Sequence, residues 1–155
     1  AASEPVQERR FMLGAGANFG LNYINPALYF EVHLEDRLTV GAMPVLFFQR
    51  GSNSSVTGIG AFATMSYYFS KTFEGFGAVV GPGVYSLSLV LDTSTEDVRL
   101  VAAMAQLVYR TRISNSRWYV GGNLGAQYVI SRTSQISLSF QGLLPMASVY
   151  VSCNF

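Results

Sequence analysis

Four stretches of this chain, Phe11–Phe30, Leu38–Gln49, Gly51–Ser70 and Thr133–Phe155, contain no Asp, Glu, Lys or Arg. Several are long enough for a membrane-spanning helix, which needs about 20 apolar residues. Their internal period forbids it. From Phe11 onward one set reads Phe11, Leu13, Ala15, Ala17, Phe19, Leu21 and Tyr23, and the other Met12, Gly14, Gly16, Asn18, Gly20 and Asn22. Alternation at every second residue is the period of a β-strand. Gly14, Gly16, Gly20 and Pro26 oppose helix by propensity, and unpaired side-chain amides are costly in lipid.

The same period continues along the chain. After a turn at Asn25-Pro26, Leu28, Phe30, Val32 and Leu34 alternate with Tyr29, Glu31, His33 and Glu35. A tight turn at Asp36-Arg37 leads to a third strand through Leu38, Val40, Ala42, Pro44, Leu46 and Phe48. A fourth carries Ile59, Ala61, Ala63, Met65, Tyr67 and Phe69 on one face. The fifth changes phase between Phe76, Ala78, Val80 and Tyr85, Leu87, Leu89, Leu91, and Gly81-Pro82-Gly83 lies at the change. The last strand changes phase between Ile136, Leu138, Phe140 and Ala147, Val149, Val151, Cys153, Phe155, with Gly142 to Pro145 between. A β-bulge at each site would return the apolar set to one face, and Pro is tolerated at such a defect. The sixth strand sets Val101, Ala103, Ala105, Leu107 and Tyr109 against Gln106, Arg110 and Arg112. The seventh sets Trp118, Val120, Leu124, Ala126, Tyr128 and Ile130 against Tyr119, Gly121, Asn123, Gly125 and Gln127. The pattern predicts an all-β domain over residues 11–155, an eight-stranded antiparallel up-and-down barrel, preceded by a segment 1–10. Its outer connections, near Ile24–Pro26, Gly51–Thr57, Asp92–Asp97 and Ser131–Gln135, are short.

Composition decides which side of such a barrel faces what. Only 12% of the residues are charged, against about 25% in a typical soluble domain. A barrel with a hydrated exterior needs more ions than this chain has. The inverse arrangement fits, with apolar residues outward and Gly, Ser, Asn, Gln and Tyr inward. A strand of about 11 residues tilted near 45° covers about 25 Å, the height of an apolar membrane band, and closure leaves no unpaired edge in lipid. Eight strands return both termini to one side. Phe11, Tyr67, Phe69, Tyr109, Trp118 and Phe155 then form one aromatic girdle, and Tyr23, Phe30, Phe48, Tyr128 and Phe140 the other. A net charge of +1 supplies no footprint for nucleic acid. With His33 the only histidine and Cys153 the only cysteine, neither a metal nor any other cofactor is expected.

The terminal run Val149-Tyr150-Val151-Ser152-Cys153-Asn154-Phe155 resembles the last strand of bacterial outer-membrane proteins, which ends in Phe after alternating apolar residues. Taken with the strand count, the chain resembles the small eight-stranded outer-membrane barrel class that includes the outer membrane protein A transmembrane domain. That resemblance implies a bacterial outer-membrane location with periplasmic termini and contact with outer-membrane lipids. It also implies insertion by the barrel-assembly machinery, with Val149, Val151 and Phe155 as the assembly signal.

Chemistry-bearing residues are few. Glu31, His33 and Glu35 share one face of the second strand, and Arg110 and Arg112 share one face of the sixth. Those strands are diametric in an eight-strand closure, and the interior of so small a barrel is filled by side chains. An ion network across the lumen is expected from these five residues, either as a satisfied pairing or as a gate. A His flanked by carboxylates also suits a general base, which makes a lipid A-modifying enzyme using His33 one alternative and a narrow gated pore another. Luminal glycines facing Phe47, Phe62, Tyr68, Tyr119 and Tyr150 point to a filled interior. Alanines 15, 17, 61, 63, 103 and 105 leave shallow patches on the outer wall for lipid or for a second copy in a homo-oligomer. The expected function is non-enzymatic: a structural or lipid-organising barrel.

Overall fold

The period-two alternation closes into a ring. The computed structural model describes residues 11–20, 23–70, 73–133 and 142–155. The segment 1–10 and the set Ile136, Leu138, Phe140 lie outside the described residues. Eight strands follow in chain order: β1 (Phe11–Phe19), β2 (Ile24–Glu35), β3 (Leu38–Arg50), β4 (Ser54–Tyr68), β5 (Gly75–Leu91), β6 (Ser94–Arg112), β7 (Trp118–Thr133) and β8 (Gly142–Asn154). Each pairs antiparallel with the next, and β8 closes on β1 from Met12↔Asn154 to Phe19↔Ala147. Phe11, Phe155, the Asp36-Arg37 turn and the turns after β4 and β6 share one rim, the terminal rim. Two expected outer connections are shorter still, because Ser54–Thr57 and Ser94–Asp97 belong to strands, and Ile24–Pro26 lies within β2 and not in a turn.

The faces follow the alternation. Phe11, Leu13, Leu28, Leu46, Ile59, Val80, Leu107, Leu124 and Val149 are exposed on the outer wall, while Asn18, Thr39, Ser66, Gln106, Asn123 and Ser148 are buried within. Apolar surface outside and polar groups inside is the reverse of a water-soluble barrel. The lumen is filled by large residues set against small ones. A Cβ on Gly83 would meet the Phe62 ring at 2.3 Å, and one on Gly121 would meet the Tyr150 phenol at 2.7 Å. These glycines are required for close approach, not for backbone freedom.

Two expected bulges are absent. No bulge exists at Gly81, Pro82 and Gly83: β5 runs through them in unbroken register with β6, and its offset to β4 is the same on both sides. The apolar set changes face instead. Val80 and Val84 point outward, whereas Tyr85 and Leu89 are buried in the lumen with Val98 and Leu100. Beyond Val84 the wall is built as a water-soluble protein is, with Ser86, Asp97 and Arg99 outside, so the phase change marks the end of the apolar band and needs no defect. Between Gly142 and Pro145 the register with β7 is likewise constant. Gly142, at φ +102°, serves as the bend into β8, a conformation open to glycine. The bulges that do occur add Leu34 to β2 and Ile130 to β7.

The girdles also shift. Phe30 lies near the terminal rim, 6.3 Å from Phe11, which stacks on Phe155 at 5.6 Å. Its register partner Leu13 places it there. Tyr23 folds over the opposite mouth onto Phe47 at 5.4 Å. Phe140 lies outside the described residues.

Candidate functional site

The inward face of β2 delivers Glu31, and the inward face of β6 delivers Arg110. Four strands apart in an eight-strand ring, they meet across the lumen: Arg110 Nη2 lies 2.5 Å from Glu31 Oε1, and Nη1 donates to Oε2 at 3.4 Å. Isolated charges in such surroundings would be costly, so each remaining lone pair and proton needs a partner. Glu31 Oε2 accepts the Tyr68 hydroxyl at 3.0 Å and the Thr39 hydroxyl at 3.2 Å. Arg110 Nε and Nη2 donate to the Tyr150 hydroxyl at 3.3 and 3.2 Å. Its guanidinium also lies over the Tyr68 and Tyr150 rings, 5.2 and 5.3 Å from their centroids, where the ring faces attract a cation. Arg110 and Tyr68 are each only 1% exposed. The cluster therefore ties β2, β3, β4, β6 and β8 together at one level.

Phe73, in the turn after β4, is buried under this cluster on the terminal side. It packs on Tyr68 at 5.9 Å and lies 6.0 Å beneath the guanidinium. Above the cluster, Tyr29 stacks on Tyr150 at 4.5 Å and donates to Asn18 Oδ1 at 2.9 Å. Asn123 donates to Gln106 at 3.1 Å, and Tyr85 to Gln127 at 2.8 Å. A cavity of about 20 Å³, bounded by Tyr29, Glu31, Met43, Ser66, Asn123 and Tyr150 among others, sits in this region. It is large enough for a single water.

The five predicted network residues separate. Glu31 and Arg110 meet, but Arg112 pairs with Glu74 at 2.9 Å and donates to the Tyr119 hydroxyl at 3.1 Å, in a half-exposed position at the terminal rim. His33 lies against Phe73, the rings tilted at 58° with centroids 5.1 Å apart. Glu35 is exposed, because the extra residue Leu34 breaks the alternation that would have aligned it with His33 and Glu31. The Glu31 carboxylate, with both oxygens engaged, is not directed at His33. Thr39, Phe73 and Glu74 went unnoticed in the sequence. The parity of β3 placed Thr39 inward, but nothing in sequence marked a turn residue as a plug. Val149, Val151 and Phe155 lie on the outer wall, all exposed. Among the described residues no group of His, Cys, Asp and Glu side chains could hold a metal ion.

The closed eight-stranded antiparallel barrel is the fold expected of the small barrel class that the sequence resembled. Among solved structures, the chain is similar to the N-terminal β-barrel domain of OprF from Pseudomonas aeruginosa, with a TM-score of 0.67 and 15% identity over 95% of this chain and 98% of that one. It is also similar to Neisserial surface protein A, with a TM-score of 0.46 and 12% identity over 94% of this chain and 95% of that one. The first of these likenesses shows the barrel fold. No family model and no curated protein matches the chain.

Proposed function

We propose that the chain is a bacterial outer-membrane barrel with periplasmic termini and a closed lumen, structural or lipid-organising in role and not an enzyme. The observation that carries this reading is the contrast between the two faces of one wall. Outside, an apolar surface is interrupted by few ions; inside, Glu31 and Arg110 are buried and mutually satisfied. Such a wall is stable only with hydrocarbon around it. The described outer turns, after β3 and β5, are short and offer little binding surface, and Phe73, Tyr68 and Tyr150 obstruct the lumen. The outer wall is then the working surface. Small residues adjoin there, with Ala42 beside Ala63, Pro82 beside Ala103 and Ala105 beside Ala126, and this shallow waist suits lipid chains or a neighbouring copy in a homo-oligomer. Exposed Val149, Val151 and Phe155 supply the pattern for the barrel-assembly machinery.

The test is fractionation of expressing cells, with heat-dependent electrophoretic migration of the folded barrel. Recovery in the outer membrane is expected, and a detergent-independent soluble monomer would overturn the proposal. A second reading, a narrow pore gated by Glu31 and Arg110, is favoured by one observation: this pair stands across the lumen, where its separation would open a path. Conductance across a planar bilayer distinguishes the two readings.

A further inference from the structure

We infer that the seam between β2 and β3, in the half of the barrel away from the termini, is a lateral site for a membrane lipid whose acyl chain carries a hydroxyl or amide donor. The inference rests on the membrane reading above and adds a lipid chemistry and a place.

The ladder between β2 and β3 is continuous from Phe30↔Ala42 to His33↔Thr39. Above that level one pair remains, Ala27↔Val45. Two prolines explain the loss. The hydrogen bonds Gly20 N to Tyr23 O and Tyr68 N to Arg37 O fix which residues address which neighbour. Odd-numbered residues of β2 pair toward β1, and odd-numbered residues of β3 pair toward β4. Even-numbered residues of both strands therefore address the shared seam, and Pro26 and Pro44 are even. Consistent with this, β1 pairs with β2 straight through Pro26, and β3 with β4 straight through Pro44.

Proline has no N–H. Across the seam, Pro44 gives nothing to the Leu28 carbonyl, and Pro26 gives nothing to that of Leu46. Near the top, Phe48 N turns to the Asn25 side chain at 3.4 Å. Pro82 removes a donor from the β4–β5 seam in the same way, but only one. The β2–β3 seam is the doubly depleted one.

Hydrocarbon cannot satisfy a carbonyl, and each unsatisfied group there costs several kcal/mol. On the lipid side the carbonyls are flanked by exposed Leu28, Phe30, Leu46 and Phe48, with small Ala42 and Pro44 between them. An alkyl chain fits these flanks, and a donor on that chain fits the acceptors. A second copy of the barrel fits less well, because the N–H groups of a paired wall are already used in its own ladders. The seam also borders the lumen: Phe30 and Ala42 join Tyr29 and Met43 in bounding the small cavity beside Glu31.

The test uses the refolded protein in phosphatidylcholine nanodiscs and two probes differing by one hydroxyl, 3-hydroxytetradecanoic acid methyl ester and tetradecanoic acid methyl ester. Carbonyl carbon resonances of Leu28 and Leu46 are followed by NMR. The hydroxy ester is expected to shift at least one of the two and to be preferred about two- to tenfold, as one added hydrogen bond provides. Pro26→Val with Pro44→Val, which restores the missing donors, should abolish the preference. Equal shifts from both esters, or none, overturn the site while leaving the membrane reading intact. A chain that does not enter the nanodiscs overturns both. If the double variant does not fold, the contrast between the two esters on the wild type decides alone.

Discussion

Ser86 and Arg99 are register partners with both side chains on the outer surface, immediately beyond the outward-facing pair Val84 and Val101. Within two residues the outer wall changes from apolar to polar, while the inner face carries the bulky Tyr85, Leu89 and Leu100. The apolar band therefore ends between these two rungs.

This boundary is measurable. Val80→Arg, inside the band, should cost about 2–4 kcal/mol, and Ser86→Arg, beyond it, about 0–1 kcal/mol. Urea unfolding in lipid vesicles reads both, and equal costs would place the boundary elsewhere. Leu89→Ala should cost about 2–5 kcal/mol as a core truncation, which an outward-facing leucine at that level would not.

Arg110→Ala should lower stability by about 3–5 kcal/mol, because the Glu31 carboxylate is left buried and uncompensated. Combining Glu31→Gln with Arg110→Met should recover most of that loss, since no unpaired charge remains. Glu74→Gln makes the contrast. Its pair with Arg112 is more than a third exposed on both sides, and such pairs contribute about 0–1 kcal/mol.

Wild-type barrels in planar bilayers should pass no steady ion current, because the cross-lumen pair is flanked by Tyr68, Phe73 and Tyr150. Steady current through the wild type would favour the pore reading. Arg110→Ala that stays silent would remove this pair as a gate.

Gly83→Ala should cost about 1–3 kcal/mol through overpacking, because the added carbon falls within 2.3 to 2.7 Å of three Phe62 ring atoms. Phe62→Leu in the same chain should return part of it. Non-additivity in a double-mutant cycle is the readout.

Strand number, strand direction and the outward set from Phe11 to Phe19 were legible in the sequence, because side-chain orientation in a strand follows parity alone. The meeting of Glu31 with Arg110 was half legible. Parity placed both inward, and eight-strand closure set them opposite, but Arg112 and Glu35 had equal claims on paper. Their exclusion depends on heights along the barrel and on the extra residue Leu34, which are properties of register. The same limit explains the misplaced bulges at Gly81–Gly83 and Gly142–Pro145. A change of apolar phase has two physical causes, a defect in the strand or a change in what surrounds it, and a sequence records both identically. What the chain determined by itself was a wall with two unlike faces, since alternation is local. Only the closed ring decided which inward groups meet, which seam Pro26 and Pro44 both address, and where the solvent outside the wall changes, because each depends on neighbours far away in the chain.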